Sequence, residues 1–174
     1  QTMRGACAHR GSDGRLRRFI VEFRNTQDLL EASVSNIAQT LCASGVLTPD
    51  HVIRTKNKIA YVDTLPKNNT DILKRINQVV EDFVKDYHRY FREQVRARGF
   101  DLQELDPYPR IFIVAGLGMF ALGFSRKEAK VAADIAEKTI CAKIKANAMG
   151  QYLPITDSHI FDMEYWPLQQ KKLG

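Results

Sequence analysis

No run of apolar residues in this chain approaches the roughly 18 that a membrane-spanning helix needs, so no membrane partner is expected. Nor does the chain open with the charged, apolar and small-residue order of a secretory signal. Cysteine is scarce. Cys7, Cys42 and Cys141 are odd in number and far apart, which excludes a disulfide framework and reads as reduced thiols in a cytoplasmic protein. Histidine is also sparse. His9, His51, His88 and His159 form no His-x-His and no His-Glu-x-x-His pattern, so no metal ligand set is expected. Internal repeats and low-complexity tracts are absent.

What remains is an ordinary globular composition, with 44% hydrophobic and 26% charged residues over 174 positions. That is enough for one domain with a sizeable core. The net charge is +6. Arg4, Arg10, Arg15, Arg17 and Arg18 stand against Asp13 alone near the start. A basic tail therefore accounts for most of the excess, and no nucleic-acid partner is expected. Residues 1–16 read as a flexible basic lead-in and 17–174 as a single α/β domain. A chain opening at Gln1 is expected to be excised from a longer multidomain enzyme.

The densest structural signal runs from Pro109 to Gly150. Ile111 to Ala115 is a short branched and aromatic run between Pro and Gly, the pattern of a buried strand. Gly116-Leu117-Gly118 leads to a second run, Met119 to Leu122, then Gly123. Ser125-Arg126-Lys127-Glu128 is a capping box that opens a helix. Its apolar face carries Ala129, Ala132, Ile135, Ala136, Thr139, Ile140 and Ile144.

The flanking segments follow the same logic. Arg17 to Phe23 alternates and predicts a half-buried strand. Asn25 or Thr26 caps a helix that Gly45 ends. Val52–Thr55 and Ile59–Val62 predict two short strands around Lys56-Asn57-Lys58. Pro66–Asn69 is a surface loop. Thr70 caps the longest helix, apolar at intervals of three and four up to Arg98, about 40 Å long at the standard rise, with Gly99 as its stop. Thr156 caps a last helix that Pro167 disturbs. The order is strand, helix, hairpin, helix, hairpin, helix, helix, which predicts a small layered sheet with helices packed on it.

Several patterns invite chemistry. Gly116-x-Gly118 follows a strand, but Ala121 stands where a dinucleotide fingerprint needs its third Gly. Gly118-x-x-x-x-Gly123-Phe124-Ser125 resembles a phosphate loop with Phe124 in place of its Lys, so a glycine-tipped hairpin is expected. Main-chain donors near Ser125 still offer an anion a helix N-terminus. Thr48-Pro49-Asp50-His51 with Arg54 and Lys56 is the densest polar cluster. It reads as a site for a phosphorylated or carboxylated ligand, or as a capped turn in which Thr48 and Asp50 bond local backbone. Phe161, Tyr165 and Trp166 lie in an acidic and aromatic stretch that either packs on the core or docks a following domain. No complete catalytic set is present, and no Tyr has a Lys four residues on.

Three stretches together carry a family resemblance: Leu47–Lys56, Pro109–Phe120, and Phe161–Trp166 with the closing Lys172-Leu173-Gly174. They resemble the middle region of bifunctional rhamnulose-phosphate aldolase and short-chain dehydrogenase proteins. The resemblance implies a linking α/β region between a class II aldolase/adducin domain and an NAD-dependent dehydrogenase domain. It implies zinc and NAD for the parent protein and no cofactor in this chain. It also implies flanking catalytic domains as partners and carbohydrate metabolism, rhamnose catabolism included; homo-oligomers are a further expected partner option. The expected role is non-catalytic, orienting catalytic domains or subunits. A regulatory module in which His51, Arg54, Lys56 and the backbone from Gly116 through Gly118 to Ser125 hold a sugar phosphate or another anion, and a stand-alone enzyme with an unrecognised site, are the alternatives.

Overall fold

The computed structural model describes residues 1–11 and 13–173. Its centre is the hairpin of β5 (Ile111–Val114) and β6 (Gly118–Gly123), turned by Ala115–Leu117. Gly116 sits at φ 74° in this turn, a conformation that costs glycine little. Strand β3 (Ile20–Arg24) adds antiparallel to β6, and β4 (Ala60–Val62) adds parallel to β5. The resulting sheet has the order β3-β6-β5-β4. The predicted α/β layered fold is the one observed.

Helices pack on both faces of the sheet. On one, Ile111, Ile113, Met119 and Ala121 meet α6 (Arg126–Met149) and α2 (Gln27–Val34). Ala132, Ala133 and Ala136 of α6 are buried there, and their small side chains let helix and sheet approach closely. On the other, Phe112, Val114 and Leu122 meet Ile76 and Val80 of α5 (Asn69–Arg98). Fully burying one such Phe is worth about 2–3 kcal/mol.

Caps fix the helix ends. The capping box is present: the Glu128 N–H donates to Ser125 Oγ at 3.2 Å, and Glu128 Oε2 accepts from the Phe124 N–H at 2.9 Å. Helix α5 is 30 residues long and ends at Gly99 in the left-handed region. Its cap is Asn68 rather than Thr70; Asn68 Oδ1 accepts from the Asp71 N–H at 2.8 Å.

Four local expectations change. The helix after Thr26 is two, α2 and α3 (Ala38–Ala43). Ser33 and Ser35 donate their hydroxyls to the carbonyls of Leu30 and Ala32, and Ser35 turns extended. Val52–Thr55 is not a strand but a helical turn, α4, continued from a 3-10 turn at Pro49–His51. Pro49 is pre-set for a first helical position, which overrides the β-branched composition. The alternating segment becomes β2 (Leu16–Arg17) and then β3, broken at Arg18 and Phe19. The lead-in read as flexible holds α1 (Thr2–Ala6) and β1 (His9–Arg10), which pairs with β2. Cys7 is fully buried in the core beneath α5.

After α6, Thr156 caps α7 (Asp157–Glu164) and Pro167 opens α8 (Pro167–Gln170). Ile160 of α7 packs with Val46 and Val52 in a satellite core.

Candidate functional site

Lys56 closes α4 by donating its N–H to the Val52 carbonyl at 2.9 Å. Its backbone has φ 63° and ψ 166°, a region almost reserved for glycine. This is the only non-glycine residue with positive φ among the described residues. Holding it there costs of order 1–3 kcal/mol, and such strain clusters where the fold needs a side chain aimed in one direction.

The direction is inward. Lys56 Nζ reaches Glu164 Oε1 at 3.0 Å and lies 4.0 Å from the centre of the Tyr87 ring. Glu164, at the end of α7, is 1% exposed. Tyr87 Oη donates to the same oxygen at 2.8 Å and pairs with Tyr165 Oη at 3.0 Å. Tyr165 Oη accepts from the Leu105 N–H at 3.2 Å. Glu164 Oε2 and Tyr90 Oη are buried with no hydrogen-bond partner among the described residues.

This network sets its own acidities. Burial pushes the Lys56 ammonium down, against the attraction of Glu164. Burial, then the Glu164 charge, push the Tyr87 and Tyr90 phenols up. Nearby, burial opposes ionisation of Asp106, but the charge and hydrogen bond of Arg110 hold its carboxyl below the usual range.

The network forms one end of a cleft of about 320 Å³ between β4, α3 and α5. Lys56, Tyr87 and Tyr90 line that end, and Asp63 with Arg75, paired at 2.5 Å, lie toward the other.

The other residues singled out from the sequence sit elsewhere or are engaged. Thr48 precedes the 3-10 turn with no side-chain cap bond. Asp50 is held by Gln169 and by Lys172 Nζ at 3.2 Å; the Gln169 bond is the larger cause of its lowered pKa. His51 Nδ1 is buried without a partner. Arg54 donates to the Lys172 carbonyl at 2.6 Å. Gly116 donates its N–H to Ser33 Oγ at 3.1 Å. Gly118 starts β6 at φ 116°, where a Cβ would stand 2.5 Å from the Arg24 carbonyl oxygen. Ser125 is occupied as the α6 cap. Phe161 is buried and stacks on Tyr165 at 4.4 Å between centroids, whereas Trp166 is 46% exposed.

Tyr87, Tyr90 and Glu164 were not legible as site residues. Tyr87 occupied an apolar position of the long helix, and Glu164 lay inside the acidic and aromatic stretch. Lys143 was missed too. It is 1% exposed and donates to the carbonyls of Leu41 at 2.9 Å and Ser44 at 2.7 Å. Its place between Ile140 and Ile144 on the buried face was the available signal.

A family profile described as aldolase class II, second domain, matches residues 1–173. The chain belongs to that family. A relative of this second domain is the uncharacterized oxidoreductase YuxG of Bacillus subtilis, 29% identical over 167 residues. The match covers 94% of this chain and 24% of YuxG. Among solved structures, YgbL of Escherichia coli, described as a candidate aldolase/epimerase/decarboxylase, superposes with a TM-score of 0.51 at 13% identity. That match covers 83% of this chain and 56% of YgbL. The second domain thus spans about a quarter of the curated relative it matches, and its likeness to YgbL is one of fold.

No group of three or more His, Cys, Asp or Glu side chains among the described residues is poised to hold a metal. No helix of the described residues is long and apolar enough to cross a membrane.

Proposed function

We propose that this second domain is a non-catalytic organising element of a longer class II aldolase and oxidoreductase, and that it orients catalytic domains or subunits. The observation that supports this reading is the pairing of Lys56 and Tyr87 with Glu164, and of Tyr87 with Tyr165. The Lys56 and Glu164 charges answer one another inside the fold, and these pairings lock α4, α5 and α7 together. A rigid joint needs such a lock, because relative domain motion is the default across small interfaces.

The contact surface we assign to this role is Trp166 with Leu168, exposed at 46% and 55% on α8 and just before it. Phe161 and Tyr165, from the same stretch, stack on each other and hold the end of α7. Zinc and NAD, which the family resemblance implies for the parent protein, belong to its other parts, as do ketose-phosphate cleavage and dehydrogenation in carbohydrate metabolism.

Assay of the isolated 174-residue chain for aldol cleavage of ketose phosphates, and for NAD reduction, is expected to give no turnover. Clear turnover of either kind overturns the reading. In the longer protein, Trp166→Ala is expected to weaken association of the catalytic parts while the second domain itself stays folded.

A further inference from the structure

The floor of the cleft is the open edge of β4. In the parallel pair with β5, Val62 accepts from the Ala115 N–H at 2.9 Å, so Ala60 and Val62 turn their main-chain groups toward β5. Successive residues of a strand point these groups to opposite sides. The N–H and C=O of Tyr61 therefore face the cleft. On that same side the Ile59 N–H donates to the Cys42 carbonyl at 2.9 Å, where α3 ends. Beyond it, Tyr61 has no main-chain partner among the described residues.

Open edges are ordinarily blunted by proline, bulges or inward charges. This one is instead recessed between two helical walls. Gln39, Cys42 and Ala43 of α3 form one, and α5 from Arg75 to Tyr90 forms the other. That stretch of α5 runs roughly 22 Å at the standard helical rise. An extended strand of about seven residues covers the same distance.

The charge of the groove is opposite to that of the chain. The whole sequence carries +6. Within the groove, Lys56 is answered by Glu164 and Arg75 by Asp63. Asp82, Asp86 and Asp157 then face Lys58 as the remaining cation. The helical partners of Asp82 and Asp86, Lys85 and Arg89, are exposed pairs three residues away, of the kind that contributes little. Val79 and Phe83 lie below these carboxylates. An apolar shelf with carboxylates at its rim suits the aliphatic stem and charged head of Lys or Arg.

We propose that this groove takes an extended strand from another polypeptide, bound by main-chain hydrogen bonds to Tyr61 and carrying Lys or Arg at alternate positions. The basic side chains lie over Val79 and Phe83 with their heads at Asp82 and Asp86. The intervening residues, small or apolar, face Cys42 and Ala43. Strand addition of this kind draws affinity from the backbone and selectivity from alternate side chains.

The probe is a capped seven-residue peptide of alternating lysine and valine, titrated into the 15N-labelled chain. Saturable binding below about 1 mM is expected, with hydrogen exchange at the Tyr61 amide slowed about tenfold or more. The same peptide N-methylated on its bonding edge, and a glutamate–valine version, are expected not to bind. Asp82→Lys with Asp86→Lys, both at exposed positions, is expected to weaken binding about tenfold or more at low salt. No saturable binding at about 1 mM overturns the proposal. So does binding that leaves Tyr61 exchange unchanged, or equal binding of the N-methylated peptide. Protection of Tyr61 that rises with chain concentration alone would make the occupant a second copy, and the proposal as stated would fall.

Discussion

Lys56 Nζ and Glu164 Oε1 lie 3.0 Å apart although 108 residues separate them in the chain. One belongs to the turn after α4 and the other to the end of α7, so the pair fixes where α7 sits. Removing either partner leaves a buried charge unanswered, which costs about 3–5 kcal/mol. Lys56→Met and Glu164→Met are each expected to lower the unfolding free energy by that amount. The double variant is expected to lose far less than the sum, because two apolar side chains replace two charges. Urea unfolding of the four proteins checks this; additive losses would mean that the pair does not couple the two segments.

Lys143 gives a pH signature. Burial lowers its ammonium to about 8, and as a neutral amine it still has two N–H groups for the Leu41 and Ser44 carbonyls. The unfolded chain holds its proton up to the ordinary lysine range, so between the two values the unfolded state binds more protons and stability rises with pH. The contribution is complete above the unfolded value and lost as pH falls through about 8. From pH 7 to 10, the stability of the native sequence relative to Lys143→Met is expected to rise by about 2 kcal/mol. Taking the difference removes the opposing effect of other titrating groups. A flat difference across that range would contradict it.

The thiols are expected to react in two classes. Burial pushes both Cys7 and Cys42 up to about 12, whereas Cys141 is partly exposed beside Asp28. Because the thiolate is the reactive form, a thiol reagent at pH 8 should label Cys141 first. Cys7 and Cys42 should follow only as the protein unfolds, and denaturant should bring all three to one rate. Fast labelling of Cys42 in the native state would contradict the packing of α3 on the sheet.

Two glycines of the central hairpin are expected to differ. A Cβ at Gly118 would meet the Arg24 carbonyl oxygen at 2.5 Å and keep a φ of 116°. At Gly116 the left-handed φ is the sole obstacle, since nothing lies within 4 Å. Gly116→Ala should cost about 1 kcal/mol, and Gly118→Ala at least about 2–3 kcal/mol. Thermal unfolding of both variants measures the gap, and equal losses would remove the steric argument.

These residues also mark how far the sequence could be read. Local chemistry was legible wherever a cap or a period carried it: Ser125 with Glu128, Gly99 after the long helix, and the alanine face of α6. Val52–Thr55 misled because its side chains favour strands, while the decision lay with Pro49 three residues earlier. Ser33 and Ser35 broke the second helix through bonds to their own backbone, a competition that apolar spacing does not register. The site was less legible. Lys56 stood out as a charge in a polar cluster, yet its burial depends on Glu164 and Tyr87, which only the folded chain brings beside it. Gly116 and Gly118 suggested a ligand loop; the structure gives the first a left-handed turn of its own and the second a close approach to Arg24 of β3, which only the folded sheet brings beside it.

The order β3-β6-β5-β4 also dictates how the sheet is assembled. Its two middle strands are neighbours in the chain and close through a three-residue turn. Both outer strands come from far away, since Ile20 meets Gly123 and Ala60 meets Phe112. Their pairing must overcome the entropy of closing long loops before any contact rewards it. The hairpin with α6 is therefore the natural nucleus, and the edges arrive late. Destabilising changes in β5 or β6 should slow folding, whereas those in β3 or β4 should mainly speed unfolding.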